Sequence, residues 1–214
     1  MTIRVLLADD HAVVRDGLHL LLEGQPTIRV IGEASNGREV IGLAQHLQPD
    51  VIVMDIAMPE LNGIEAARQI RAACPSTRII ILSMHSTSEH VFRALQAGAT
   101  GYLLKESAGA EVVDAVRAVH AGRRYLSQKL IETGIYHVFD QRGIESPLDR
   151  LSAREREVLQ LTVEGKSSVE IAALLSLSSK TVETYRSRLM HKLGLSDLPG
   201  LVKFAIQHGL TSLD

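Results

Sequence analysis

The sequence predicts an α/β chain in two parts. A doubly wound, flavodoxin-like parallel sheet of five strands, in the order 2-1-3-4-5, precedes an all-α helix-turn-helix unit. Three observations carry this reading. Five short runs rich in Val, Ile and Leu lie at residues 3–8, 28–34, 51–54, 79–82 and 102–104, and they do not alternate with polar residues. That is how strands buried on both faces read. Stretches of helical period separate them at roughly 25-residue spacing, the rhythm of strand, helix, strand. Beyond residue 149 such runs stop and helix-start signals recur.

The elements follow in order. Val14, Leu18, Leu21 and Leu22 form an apolar stripe after Asp10. Ile64, Ala67 and Ile70 form another after the Gly63 break, and Val113, Val116 and Val119 a third after Glu111. The first domain is drawn over residues 1–122. Residues 123–148 read as a linker, helical in part: SQKLIETGIYHVF is interrupted by Gly134, and DQRGIESPLD has the composition of a connection. The second domain is drawn over residues 149–214. It opens with LSAREREVL, where Ser152 and Glu155 form a capping box and Leu151 takes the staple position. A second box pairs Ser167 with Glu170, and SLSS supplies a tight turn into TVETYRSRLMHKLG. This is the helix-turn-helix layout. LPGLVKFAIQHG reads as a closing helix that Pro199 helps to start.

Composition excludes several functions. Aromatic residues make up 3% of the chain and Trp is absent, which argues against a stacking platform for single strands. A formal net charge of −2 predicts neither a nucleic-acid nor a membrane partner from bulk electrostatics, so any such surface must be local. The single Cys74 rules out an internal disulfide and a Cys-based zinc cage, as expected in a reducing cytoplasm. MTIRVLLADD is too acidic for a signal peptide, and no run reaches the length of a spanning helix. No membrane association is expected.

The strand ends carry the chemistry. The first run ends in Asp9–Asp10, the third in Asp55, the fourth in Ser83 and the fifth in Lys105. In a parallel sheet of this order those ends share one edge, and ligands bind where strand order reverses. Carboxylates crowded there repel unless a cation neutralises them. An all-oxygen set with access to water suits Mg²⁺. With Lys105 as a fixed positive charge and Ser83 as a hydroxyl donor, the set suits phosphoryl transfer to a carboxylate, and central Asp55 is the candidate nucleophile. Ala57 has no side chain to bond a hydrolytic water, whereas His85 either orients such a water or shields the site.

These motifs resemble a known family. ADDH, MDIAMPELNG, IIILS and AGATGYLLK, spread over residues 1–122, are similar to the receiver domain of two-component response regulators. The resemblance implies that Asp55 accepts phosphate from a histidine kinase. It implies that Asp10, Asp55 and the Ala57 carbonyl bind Mg²⁺ directly, with Asp9 acting largely through water. Ser83 and Tyr102 would be the switch pair, and Lys105 would contact the phosphoryl group. Glu106 is a departure, because many receivers have Pro after the lysine.

On a helical wheel Val182, Tyr185, Leu189 and Leu193 form one core stripe. Between Ser179 and Leu193 lie four Lys or Arg residues and one Glu, a local basic patch in a near-neutral chain. LSAREREVLQLTVEGKSSVEIAALLSLSSKTVETYRSRLMHKLG resembles the LuxR-type helix-turn-helix. Joined to a receiver, it is similar to the NarL/FixJ response regulators. The resemblance implies that Glu183, Thr184 and Ser187 face base edges of double-stranded promoter DNA. Lys180, Thr181, Arg188 and Lys192 would meet phosphates. Glu183, a departure from members with a basic residue there, either accepts from a cytosine amine or repels phosphate. The expected whole is a transcription regulator rather than an enzyme, homodimeric when phosphorylated, with RNA polymerase as a further partner.

Overall fold

The computed structural model describes residues 2–134 and 146–211. In chain order the first part contains β1 (Ile3–Ala8), α1 (Ala12–Glu23), β2 (Ile28–Ala34), α2 (Gly37–Leu47), β3 (Val51–Asp55) and α3 (Gly63–Ala73). It continues with β4 (Arg78–Ser83), α4 (Ser88–Ala97), β5 (Gly101–Leu104), α5 (Ala108–His120), β6 (Tyr125–Leu126) and α6 (Gln128–Glu132). All strands are parallel, in the order β2-β1-β3-β4-β5-β6.

The sheet is buried on both sides because its strands alternate between two apolar layers. Leu6, Ala8, Ile52 and Met54 face the layer built with α2, α3 and α4. Val5, Leu7, Val51 and Val53 face the layer closed by α1 and α5. Burial on two sides removes any polar face, which is why these strands carry no period-two signal. Leu21 departs from its expected stripe and is 41% exposed. It falls about 60° from Leu18 around α1, past the strip that the sheet covers.

A sixth strand corrects the predicted five. Tyr125 and Leu126 pair with Gly101 and Tyr102 of β5, inside the segment read as linker. Two residues between Arg123–Arg124 and a polar stretch leave no apolar run to detect. Of the helix expected from SQKLIETGIYHVF, α6 is the part described, and residues 135–145 lie outside the described residues.

The helical part begins with a 3-10 turn (Pro147–Arg150), followed by α7 (Ala153–Val163), α8 (Ser168–Leu175), α9 (Ser179–Leu193) and α10 (Leu198–Gln207). Both expected capping boxes form, Ser152 with Glu155 and Ser167 with Glu170. Val182 and Leu189 of α9 enter a core with Val158, Ile171 and Leu201. Among the described residues, no helix is long and apolar enough to cross a membrane.

The two parts meet along a polar seam. Arg156 of α7 makes a bidentate pair with Glu65 of α3, at 2.6 and 3.0 Å. Gln160 accepts from the Asn62 backbone amide (2.8 Å) and donates to the Met58 carbonyl (2.9 Å). Glu164 accepts from the Glu60 amide at 3.0 Å. The far end of α10 rests on α4, where Arg93 donates to the His208 carbonyl at 2.7 Å.

Candidate functional site

The carboxyl edge of the sheet brings the expected residues together. Asp9 follows β1, Asp55 closes β3, Ser83 closes β4 and Lys105 follows β5. The loop beyond Asp55 is fixed by its own backbone. Met58 and Gly63 amides both donate to the Ile56 carbonyl, at 3.0 and 2.8 Å. A Cβ on Gly63 would lie 2.0 Å from the Asp55 carbonyl oxygen, so no other residue lets the chain return so closely.

Lys105 Nζ lies 2.7 Å from Asp55 Oδ2 and 2.9 Å from Asp9 Oδ2, bridging two buried carboxylates. His11 approaches the same cluster: its ring Nδ1 is 2.8 Å from Asp10 Oδ1, and its amide donates to Asp9 Oδ1 at 2.9 Å. Burial pushes the Asp55 carboxyl above the ordinary range, opposed by Lys105 and reinforced by Asp9. Burial alone would lower the Lys105 pKa, but Asp55 and Asp9 outweigh it and hold the ammonium charged.

The switch candidates converge on one residue. The His85 amide donates to Ser83 Oγ at 2.9 Å, and the Tyr102 hydroxyl donates to the His85 carbonyl at 2.8 Å. Burial raises the Tyr102 pKa strongly, so the phenol remains a donor. His85 and Ala57 line a cavity of about 610 Å³ together with Asp55, Ser83 and Lys105. Ile206 and Thr211, from the helical part, complete its wall. Glu106 is the middle residue of a 3-10 turn (Lys105–Ser107), and the described residues contain no cis peptide bond.

The donor chemistry fits a divalent cation. Asp9, Asp10, His11 and Asp55 each offer a ligand atom, all within 4.8 Å of one another. Asp9 Oδ2 and Asp10 Oδ1 are buried and accept no aligned hydrogen bond, despite the nearby Lys105 and His11. Lys105 meets Asp9 Oδ2, but one ammonium against three clustered carboxylates leaves negative charge that a divalent cation would neutralise.

On α9, Lys180, Glu183, Thr184, Ser187, Arg188 and Lys192 are exposed, and Thr181 is half-buried beside its N-cap Ser178. The Thr184 hydroxyl donates to the Lys180 carbonyl at 2.9 Å, and Lys192 and Glu183 reach other helices of the domain. Lys192 Nζ lies 2.7 Å from Glu155 Oε2. Glu183 accepts from Ser168 of α8, whose hydroxyl also accepts from Arg186 at 3.2 Å. Glu183 is thus tied back to the preceding helix.

Several residues that join the two parts escaped the sequence reading: Glu65, Arg93, Arg156 and Gln160. Glu65 has the look of an ordinary first-turn acid and Arg156 that of a solvated helix face. Their partners lie about 90 positions away, beyond any local period.

Comparison with known proteins agrees with this geometry. Residues 5–117 match the response regulator receiver domain, and residues 149–205 match the luxR family of bacterial regulatory proteins. The transcriptional regulatory protein MctR of Rhizobium johnstonii is 38% identical over 210 residues, spanning 98% of this chain and 96% of that protein. The response regulator UvrY of Escherichia coli is 37% identical over 212 residues, spanning 99% and 97%. A structure of the two-component response regulator RcsB bound to DNA superposes with a TM-score of 0.59, at 27% identity, over 97% of this chain and 99% of that one. The chain belongs to the NarL/FixJ response regulators, which join a receiver domain to a LuxR-type helix-turn-helix domain.

Proposed function

We propose that Asp55 is the phosphoacceptor of a two-component pathway and that α9 reads promoter DNA under its control. The observation that carries the first half is Lys105 bridging Asp55 and Asp9 at the rim of an open cavity. A carboxylate oxygen of Asp55 attacks phosphorus in line, the N–P bond of a phosphohistidine breaks, and its electron pair leaves with the imidazole. Lys105 remains protonated and balances charge on the phosphoryl oxygens. Asp10, Asp55 and the Ala57 carbonyl would hold Mg²⁺, with Asp9 acting through water; the ion would supply further charge neutralisation. Ser83 then turns toward the phosphoryl group, and Tyr102 follows.

For the second half, the basic face of α9 supports phosphate contacts from Lys180, Thr181 and Arg188, and base-edge contacts from Thr184 and Ser187. Lys192 and Glu183 join them by leaving Glu155 and Ser168. One such domain offers few contacts, so a phosphorylated homodimer on two half-sites is the binding form. A histidine kinase and RNA polymerase are the protein partners, and the cytoplasm is the compartment. We divide the chain into a receiver over residues 1–122, a connection over 123–148 and a DNA-binding domain over 149–214, with β6 and α6 closing the receiver from within the connection.

Acetyl phosphate with Mg²⁺ is expected to add one phosphate by intact mass, and Asp55→Asn to add none. Turnover of many phosphoesters per chain would instead point to a hydrolase. Arg188→Ala is expected to weaken duplex binding across sequences and to reduce the salt slope by about one; an unchanged slope removes Arg188 from the phosphate contacts.

A further inference from the structure

The turn after α10 sits on two histidines of the receiver. Gly209 has a φ of +63°, and a Cβ there would come within 2.7 Å of His90 Nε2 and 3.3 Å of His85 Cδ2. Glycine alone suits both the left-handed backbone and that approach. The rings of His85 and His90 lie 4.3 Å apart between centroids and 11° from parallel. His90 is anchored by Thr87 Oγ1, 2.6 Å from its Nδ1. His85 is the residue whose amide and carbonyl are held by Ser83 and Tyr102. Just before Gly209, the His208 carbonyl accepts from Arg93 and the His208 ring pairs with Glu89. The switch pair, the histidine stack and the docked turn therefore form one unbroken set of contacts.

We propose that the His85–His90 stack reports phosphorylation of Asp55 to the docked DNA-binding domain. This rests on the reading of Asp55 as phosphoacceptor. Drawing Ser83 toward the phosphoryl group strains its hydrogen bond to the His85 amide, and a Tyr102 rotation removes the donor to the His85 carbonyl. The His85 ring then shifts against His90, and Gly209 loses the surface that it rests on. Packed surfaces of this kind switch between discrete arrangements rather than deform continuously. The element with two states is the docked domain itself, which both the phosphoryl site and the seam bias. Docking leaves Lys180, Thr184, Ser187 and Arg188 exposed, so the relay governs how the domains are arranged and not whether solvent reaches the reading face.

Hydrogen exchange of the Glu60 and Asn62 amides reads docking directly, because their acceptors are Glu164 and Gln160 of α7. Protection in the full chain is measured before and after acetyl phosphate with Mg²⁺. Each value is taken relative to Arg156→Ala in the same phosphorylation state and compared at equal adduct by intact mass. Phosphorylation is expected to lower wild-type protection about tenfold, within the usual range of coupling between sites. In His85→Ala the drop should all but vanish, and in His85→Phe, which restores a stacking ring, it should return. If His85→Ala lowers protection equally in both states, the histidine only packs and the relay is overturned, with the phosphoacceptor reading intact. If wild type forms no adduct, or Asp55→Asn forms the same one, the phosphoacceptor reading fails and the relay falls with it.

Discussion

The receiver core and the seam between the domains hold the same chain together by different means. In the core, Ile52, Met54, Ile79 and Ile81 are completely buried among other apolar side chains, and burial needs no specific partner. In the seam, Glu65 and Arg156 are 4% and 9% exposed, and Gln160 is completely buried. Each of these polar groups must find its complement or leave a desolvated charge or amide. Apolar contacts need no matched donor and acceptor, whereas a polar seam is satisfied in one register and unsatisfied in the next. The contrast suits a body that must persist beside a contact that must open.

Breaking that contrast starts with Arg156. Arg156→Ala would leave Glu65 of α3 buried without its bidentate partner, with only Arg68 at 3.6 Å, and free the Leu151 carbonyl, which Arg156 also holds at 2.5 Å. Removing one member of such a pair costs about 3–5 kcal/mol. The seam is expected to open, with the loss appearing in exchange protection of the Glu60 and Asn62 amides while the receiver core stays protected. The double change Glu65→Leu with Arg156→Met should recover much of that loss, because replacing both charges by apolar groups is often nearly neutral. If Arg156→Ala keeps the wild-type protection, the pair is not what holds the seam.

Acid should open the same contact more gently. Burial, then His85 and Arg93, lower the His90 pKa from 6.5 to about 4, against a raising pull from Glu89. His208 also disfavours the charged ring. Glu89 is held below the ordinary carboxylate range despite burial, by Ser146 and His208, and so stays charged through most of the relevant window. A histidine kept neutral in the fold adds stability above its unfolded pKa and loses it as pH falls from about 6.5 to about 4. At pH 5 that loss is at most about 2 kcal/mol. The wild-type melting temperature should therefore fall several degrees further between pH 7 and pH 5 than that of His90→Phe. Parallel falls would show that His90 does not titrate in this window.

The same contrast decides what the sequence makes legible. Val51 through Met54 declare a two-sided strand because each residue meets apolar atoms whichever face it takes. Asp9, Asp10, Asp55, Ser83 and Lys105 are legible because a parallel sheet puts its strand ends on one edge whatever the loops do. Complementarity across the seam has no such rule. Nothing near Gln160 announces Asn62, 98 positions away, and nothing near His85 announces a stack with His90 under a glycine of another domain. β6 is missed for a simpler reason, since two residues are too short for any period.

The smallest expected effect lies on α9, where a seam-like contact occurs within one domain. Lys192 is 40% exposed and pairs with Glu155, which is also the third residue of the α7 capping box. Burial works against the charge on Glu155, yet hydrogen bonds from Lys192 and Ser152 hold its pKa below the ordinary range. Because Ser152 donates to that carboxylate through both its amide and its hydroxyl, the cap survives loss of the lysine. Lys192→Ala should therefore cost less than about 1 kcal/mol in thermal stability, as half-exposed pairs do. Its effect on DNA depends on whether the ammonium leaves Glu155 for a phosphate. Should it do so, the salt slope of duplex binding falls by about one, as for Arg188→Ala. If it stays, the slope is unchanged, and Lys192 belongs to the scaffold that holds α9 on α7 rather than to the surface that meets DNA.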